Sequence, residues 1–158
     1  MNLEKKQVLV VYHKLKKKSF IYLGVVALFF LFTLLMLYLF NDSVEVTRET
    51  SWMTKTVLFV VFFGTIPLMF YYVAGKVRNI AEKQTYKKMM RSYARLYSIK
   101  FVLYTILSVL SLIGFFLTKD PMILLLFIAG IFFLYFERPS KDKIENDLAI
   151  NTGLDQAE

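Results

Sequence analysis

Few residues in this sequence could carry chemistry, and those that could are almost all cations. Among 158 residues there is no Cys, one His and one Trp, which removes disulfide frameworks, thiolate nucleophiles, Cys-based zinc sites and haem held between paired histidines. His13 stands in a basic stretch with no second ligand candidate beside it, and reads as an interfacial residue, not as a metal ligand or pH sensor. There is no phosphate-binding glycine loop, Ser-based nucleophile elbow or His-Glu metal motif, and the six glycines are too scattered to cradle a nucleotide. Lys143, Glu145 and Asp147 have the spacing of ordinary surface positions on a short helix. No catalytic residue, cofactor or metal site is expected, and the chain reads as a protein that is not an enzyme.

What remains is charge: 20 Lys and Arg against 12 Asp and Glu, a net of +8. The cations cluster at Lys83, Lys87, Lys88, Arg91 and Arg95, and again at Lys14, Lys16, Lys17 and Lys18. Their chemistry is attraction to an anionic lipid leaflet, where each contributes about 1 kcal/mol, or to an acidic partner. The plainer reading is that such charges only orient the chain in a membrane. Nucleic acid is set aside, because the basic segment from 76 to 100 is too short and too closely flanked by apolar stretches to build a recognition fold.

The elements that must position these cations are hydrophobic. The chain is 57% apolar, with 16 Phe and 10 Tyr, the composition of a membrane protein. Uncharged stretches run over 19–40, 56–75, 101–118 and 121–136. The first, at about 33 Å as a helix, exceeds a hydrocarbon core of roughly 30 Å. The fourth reaches only about 24 Å, but Thr118, Lys119, Asp120 and Pro121 spell a turn that pairs it with the third as a helical hairpin. Lys119 and Arg138 are expected to reach past its ends into the headgroup region.

Charge then sets orientation. Residues 1–18 carry a net of +5, 41–55 a net of −1, 76–100 a net of +7, the turn at 119–120 none and 137–158 a net of −3. The positive-inside rule places both termini and the 76–100 segment in the cytoplasm. Tyr22, Tyr71, Tyr72, Tyr104 and Tyr135 then fall near the inner interface, and Tyr38 and Trp52 near the outer one. The first stretch is too long for a signal-peptide core and reads as an uncleaved anchor. Asn41, Asp42 and Ser43 form a glycosylation sequon, but a polar cap on the helix end is the expected role of Asn41.

The basic segments are helical in pattern. Tyr86, Met90, Tyr93 and Tyr97 recur at i, i+4, i+7 and i+11, and Val8, Val11, Tyr12 and Leu15 line one face of the N-terminal stretch. With no Gly or Pro between them and the adjoining apolar stretches, each is expected to extend a membrane helix. In the tail, Ser140 can cap a short helix carrying Ile144 and Leu148 on one face; the opposite charges raise the hypothesis that it lies on the 76–100 segment, and the plainer reading is a solvated tail.

Ionisable residues at membrane depth mark transport, proton relays or catalysis, and the four apolar stretches contain none, nor any Asn or Gln. Gly64 and Pro67 fall inside the second stretch, where Pro67 is expected to kink the helix for packing. Ser108 and Ser111 on the third are expected to be small contacts that let helices approach.

The hairpin residues Lys119, Asp120 and Pro121 and the tail residues Arg138, Pro139, Ser140, Lys143, Ile144, Asp147 and Leu148 resemble the last third of a group of small bacterial four-span membrane proteins with an Arg-Pro-Ser/Thr tail. That resemblance implies the fold and no activity.

The expectation is therefore an all-α, polytopic protein of the bacterial inner membrane: a four-transmembrane-helix bundle with cytoplasmic helical extensions and both termini cytoplasmic. Its expected role is a non-catalytic accessory or scaffold subunit contacting anionic membrane lipid, or a membrane-protein partner, through basic helices. The first alternative is a small transporter or homo-oligomeric pore lined by Thr65, Thr105, Ser108 and Ser111; the second is a membrane enzyme with no recognisable motif.

Overall fold

The computed structural model describes residues 3–40, 48–83 and 86–148, with side chains over 6–40, 49–80 and 87–148. Among the described residues there are five helices and no strand: α1 Leu3–Phe40, α2 Arg48–Lys83, α3 Tyr86–Thr118, α4 Pro121–Phe136 and α5 Lys141–Asp147. Continuous helix through the basic segments follows from the absence of a breaker: α1 passes without interruption from its lysines into the apolar stretch. The 76–100 segment is shared by two helices, since α2 runs to Lys83 and α3 starts at Tyr86. The outer connection is shorter than the apolar pattern suggests, because α2 already begins at Arg48, with Glu49 in its first turn where a carboxylate suits the helix dipole. The sequon at Asn41 lies outside the described residues.

α3 is the central helix, packed against α1, α2 and α4. Side-chain contacts give the directions. Lys18 meets Ser98 and Tyr22 meets Phe101, so α1 and α3 run parallel. Phe30 stacks on Phe127 while the Ser19 hydroxyl donates to Leu134 O, so α4 returns antiparallel to α1. Lys55 meets Asp120 and Phe70 lies under Lys100, which places α2 antiparallel to α3. All the long helices therefore present their basic ends on one side.

The apolar stretches are largely uncovered. Leu28, Val60, Leu68 and Phe132 are among many large apolar side chains left exposed around the bundle, a continuous apolar belt far larger than a water-soluble surface carries. Three helices, within Lys6–Phe40, Glu49–Ile80 and Lys87–Thr118, are long and apolar enough to cross a membrane, whereas α4 meets α5 at a bend of 78°.

The two ends are closed differently. At the far end Lys119 adopts φ 53° and Asp120 caps α4 by accepting from Met122 N at 2.9 Å, with Pro121 in the first turn. Lys55 pairs with Asp120 at 2.5 Å and ties the start of α2 to this hairpin. The Lys55 ammonium, with the Met122 amide, holds the Asp120 carboxyl below the usual carboxylate range. At the basic end Ser140 caps α5 by accepting from Lys143 N, and Ile144 and Leu148 are buried. Arg138 does not extend away: its guanidinium lies over the Tyr135 ring at 4.2 Å and near Phe20.

Candidate functional site

The basic helices converge on a groove of about 730 Å³ between the N-terminal part of α1 and the start of α3. Its basic lining residues are Lys6, Lys14, Lys18, Lys87, Arg91 and Arg95, and among the described side chains no acidic residue lines it. Val11, Met90 and Ala94 at its base are buried, while Val10 is exposed one turn from both Lys6 and Lys14. This arrangement follows from helical period: on α1 the lysines flank the buried stripe of Val8, Val11 and Leu15, and on α3 the arginines flank Met90, Tyr93 and Tyr97. Packing the two stripes together leaves the flanking cations as the two rims of one channel.

Of the cations singled out in the sequence, Lys14, Lys18, Lys87, Arg91 and Arg95 line this groove. Lys16, Lys17 and Lys88 are exposed outside it, Lys16 with its ammonium 5.9 Å from the Tyr12 ring centre. The Lys83 side chain lies outside the described residues. Lys18 is fixed in place: its Nζ donates to Ser98 Oγ at 2.8 Å, and that hydroxyl donates to Ala94 O. His13 is exposed, its Nδ1–H donating to Leu9 O.

A second, polar cluster lies where α3, α4 and α5 meet. Lys100 is only 2% exposed; its ammonium pairs with Glu137 and sits 4.6 Å above the Phe70 ring, with Tyr97 and Tyr104 beside it. Tyr93 and Tyr97 both donate to Asp147 Oδ2, at 2.8 and 3.3 Å, so α5 is held by α3 hydroxyls while Ile144 and Leu148 supply its apolar seat. Between this cluster and the Val73 to Arg78 stretch of α2 is a cavity of about 510 Å³. Glu145 is buried and Asp147 is an acceptor for two tyrosines, which corrects the expectation that both are plain surface positions. Tyr104 is likewise buried within the bundle and is not part of an interfacial belt.

Sequence reasoning counted Lys100 as one more basic residue of the segment. The signal that distinguishes it was available: Tyr93, Tyr97, Lys100 and Tyr104 recur at i, i+4, i+7 and i+11, so this one lysine stands on the buried aromatic stripe and not on the basic faces.

The small residues fall into two groups. Ser108 and Ser111 are buried and donate to Tyr104 O and Leu107 O of their own helix. A Cβ placed on Gly130 of α4 would overlap Ser108 Oγ, so α3 and α4 approach closely there. Gly64 has nothing within 4 Å of a Cβ placed on it, and Pro67 is exposed on a helix that continues through it. Thr105 donates to Phe101 O. Among the described residues no three His, Asp or Glu side chains stand close enough to hold a metal ion.

Comparison with family models, curated proteins and solved structures finds no match to this chain.

Proposed function

We propose that the chain is a non-catalytic accessory or scaffold subunit of the bacterial inner membrane, crossing it four times with both termini in the cytoplasm. Its working surface is the basic groove of α1 and α3 with the exposed lysines beside it. The observation that carries this reading is the coherence of that surface: six cations and, among the described side chains, no acid around one channel, at the end of the molecule where the apolar belt stops. Orientation alone requires positive charge on one side, but not its gathering around one groove between two helices.

The fourth crossing is α4. It is short, but it is antiparallel to α1, packs along α3 and starts from a capped turn at the opposite end from the basic groove, which supports a return through the same apolar belt. With four crossings α5 lies at the cytoplasmic face, where its Asp147 accepts from Tyr93 and Tyr97 of α3.

The hydroxyls of Thr105, Ser108 and Ser111 are occupied by their own helix, and the two serines are buried, Ser108 against Gly130 of α4. That supports packing over a solute pathway, and the accessory role over a transporter or pore.

The test is lipid retention. Protein extracted from nanodiscs of equal phosphatidylglycerol and phosphatidylcholine is expected to retain phosphatidylglycerol preferentially by native mass spectrometry. Replacing Lys14, Lys16, Lys17, Lys18, Arg91 and Arg95 with Gln is expected to abolish the preference. Equal retention by the parent protein and this variant would contradict the reading.

A further inference from the structure

The cavity of about 510 Å³ opens where α2, α3, the end of α4 and α5 meet, at the edge of the apolar belt. Its charged walls come from residues just past the apolar stretches: Lys100 precedes that of α3, Glu137 follows that of α4, and Arg78 lies three residues beyond that of α2. From α5 come Lys143 and Asp147. On α2 the exposed residues Phe70, Ala74 and Arg78 follow one another at i, i+4 and i+8, so this wall passes from apolar to cationic within about 12 Å of helix. Glu137 also lines a second, apolar hollow of about 330 Å³ along α4, with Ala129, Phe132, Phe133 and Phe136. The rise from Ala129 to Glu137 is again about 12 Å, and the Phe70 ring of the cavity lies 6.4 Å from the Phe133 ring of the hollow. A polar cavity at the edge of the belt is thus joined, through one carboxylate, to an apolar track that leads into it.

Resting on the reading that the apolar belt lies in the bilayer with α5 at the cytoplasmic face, we infer that this cavity seats the headgroup of one phospholipid bearing a primary ammonium, as in phosphatidylethanolamine, with an acyl chain on the α4 track. Charge of both signs selects it. Arg78, Lys100 and Lys143 line the cavity together with Glu137 and Asp147, whereas the groove of α1 and α3 has no acid among its described side chains. A phosphodiester meets Arg78 and Lys143, which are exposed. A purely anionic headgroup finds the same two cations but sets its charge against both carboxylates; an ammonium turns them into acceptors. The contacts described fall on Glu137 Oε2 and Asp147 Oδ2, and a carboxylate has a second oxygen to offer. A quaternary ammonium has no N–H to donate, and the aromatic faces that would hold it are taken by Lys100, whose Nζ lies 4.6 Å from the Phe70 ring centre and 5.5 Å from that of Tyr97. A soluble phosphoamine would leave the Phe132, Phe133 and Phe136 track uncovered, so the occupant is a lipid.

The full chain is reconstituted in nanodiscs of phosphatidylcholine, phosphatidylethanolamine and phosphatidylglycerol in equal parts and released for native mass spectrometry, with N,N-dimethyl-phosphatidylethanolamine replacing phosphatidylethanolamine in a parallel set. One phosphatidylethanolamine is expected to be retained over phosphatidylcholine by at least about tenfold, as for the loss of one charge-assisted hydrogen bond, with the dimethyl lipid between them. Ala74→Trp fills the cavity from an exposed position without changing the charge, and is expected to return the ratio to that of the disc; unchanged helicity and thermal unfolding check that the variant folds. Excess glycerophosphoethanolamine, the same headgroup without chains, is expected to displace nothing. Retention by the parent that follows disc composition would overturn the proposal in favour of unselective boundary lipid. A preference that Ala74→Trp leaves unchanged would place the lipid elsewhere, loss of a bound phosphatidylglycerol in that variant would make the cavity an anionic site, and displacement by glycerophosphoethanolamine would assign it to a soluble ligand; each overturns it. Absence of the phosphatidylethanolamine preference with phosphatidylglycerol still retained over phosphatidylcholine removes this inference only; absence of both removes the proposed function as well.

Discussion

Glu137→Gln probes the best-buried charge among the described residues. The Lys100 ammonium is 2% exposed, and the Glu137 carboxylate is its only ionic partner among the described pairs. Removing one partner of a buried pair costs about 3 to 5 kcal/mol, because the remaining charge is left without compensation. Two observations reduce that figure here. Glu137 keeps 17% of its side chain exposed, so it sits towards the lower limit. Lys100 also lies over the Phe70 ring at 4.6 Å with Tyr97 and Tyr104 near, and a desolvated cation over aromatic faces retains roughly 1 to 2 kcal/mol. A net loss of about 2 kcal/mol is expected for Glu137→Gln. Lys100→Met in the same background is expected to recover most of it, since an apolar side chain of similar length suits the aromatic surroundings better than an unpaired ammonium. The assay is reversible unfolding in detergent micelles, comparing both single variants and the double. A Glu137→Gln variant within about 0.5 kcal/mol of the parent, the ordinary scatter of surface substitutions, would refute the reasoning. So would a double variant whose loss equals the sum of the two, because the residues would then be independent.

Three further outcomes follow from other contacts. Asp147→Asn weakens the two tyrosine hydrogen bonds that hold α5; hydrogen bonds to a charged group contribute about 1.5 to 3 kcal/mol, and faster proteolysis at α5 with unchanged helicity elsewhere is expected. Gly130→Ala forces Ser108 Oγ away from α4 and is expected to lower stability by about 1 to 2 kcal/mol, with Ser108→Ala recovering most of it, both read by thermal unfolding in micelles. The Lys55 to Asp120 pair is pH-dependent. The folded pKa of Asp120 is held below its unfolded value by the Lys55 hydrogen bond, so its contribution is complete above the unfolded carboxylate pKa of about 4 and disappears as pH falls through the lowered value. Asp120→Asn is therefore expected to match the parent most closely at the acid end of a pH series and to fall below it near neutrality, by under about 1 kcal/mol because the pair is partly exposed.

The helices at either end of the bundle show how much the pattern of residues carries. Asp120 and Pro121 specify the start of α4, and Ser140 the start of α5, through caps that depend only on neighbours in the chain. The continuity of α1 follows in the same local way from a long run without Gly near its basic segment and without Pro. The candidate groove was legible only as two separate rows of cations, because nothing in a linear sequence states that α1 and α3 run parallel and adjacent.

What the sequence determined alone is what depends on period and on solvent: which stretches are apolar enough for lipid, where the helices start, and on which side the charge gathers. What the tertiary structure decided is which charges meet. Lys100 and Arg95 are five residues apart on one helix, yet one faces Glu137 within an aromatic cage and the other faces a groove against α1. Asp147 becomes an acceptor for Tyr93 and Tyr97, more than fifty residues earlier for one and fifty for the other, only because α4 turns by 78° into α5 at the level where α3 enters the bundle. Hydropathy and capping are local and additive along a helix, whereas the energy of a charge depends on what the fold brings within a few ångströms of it.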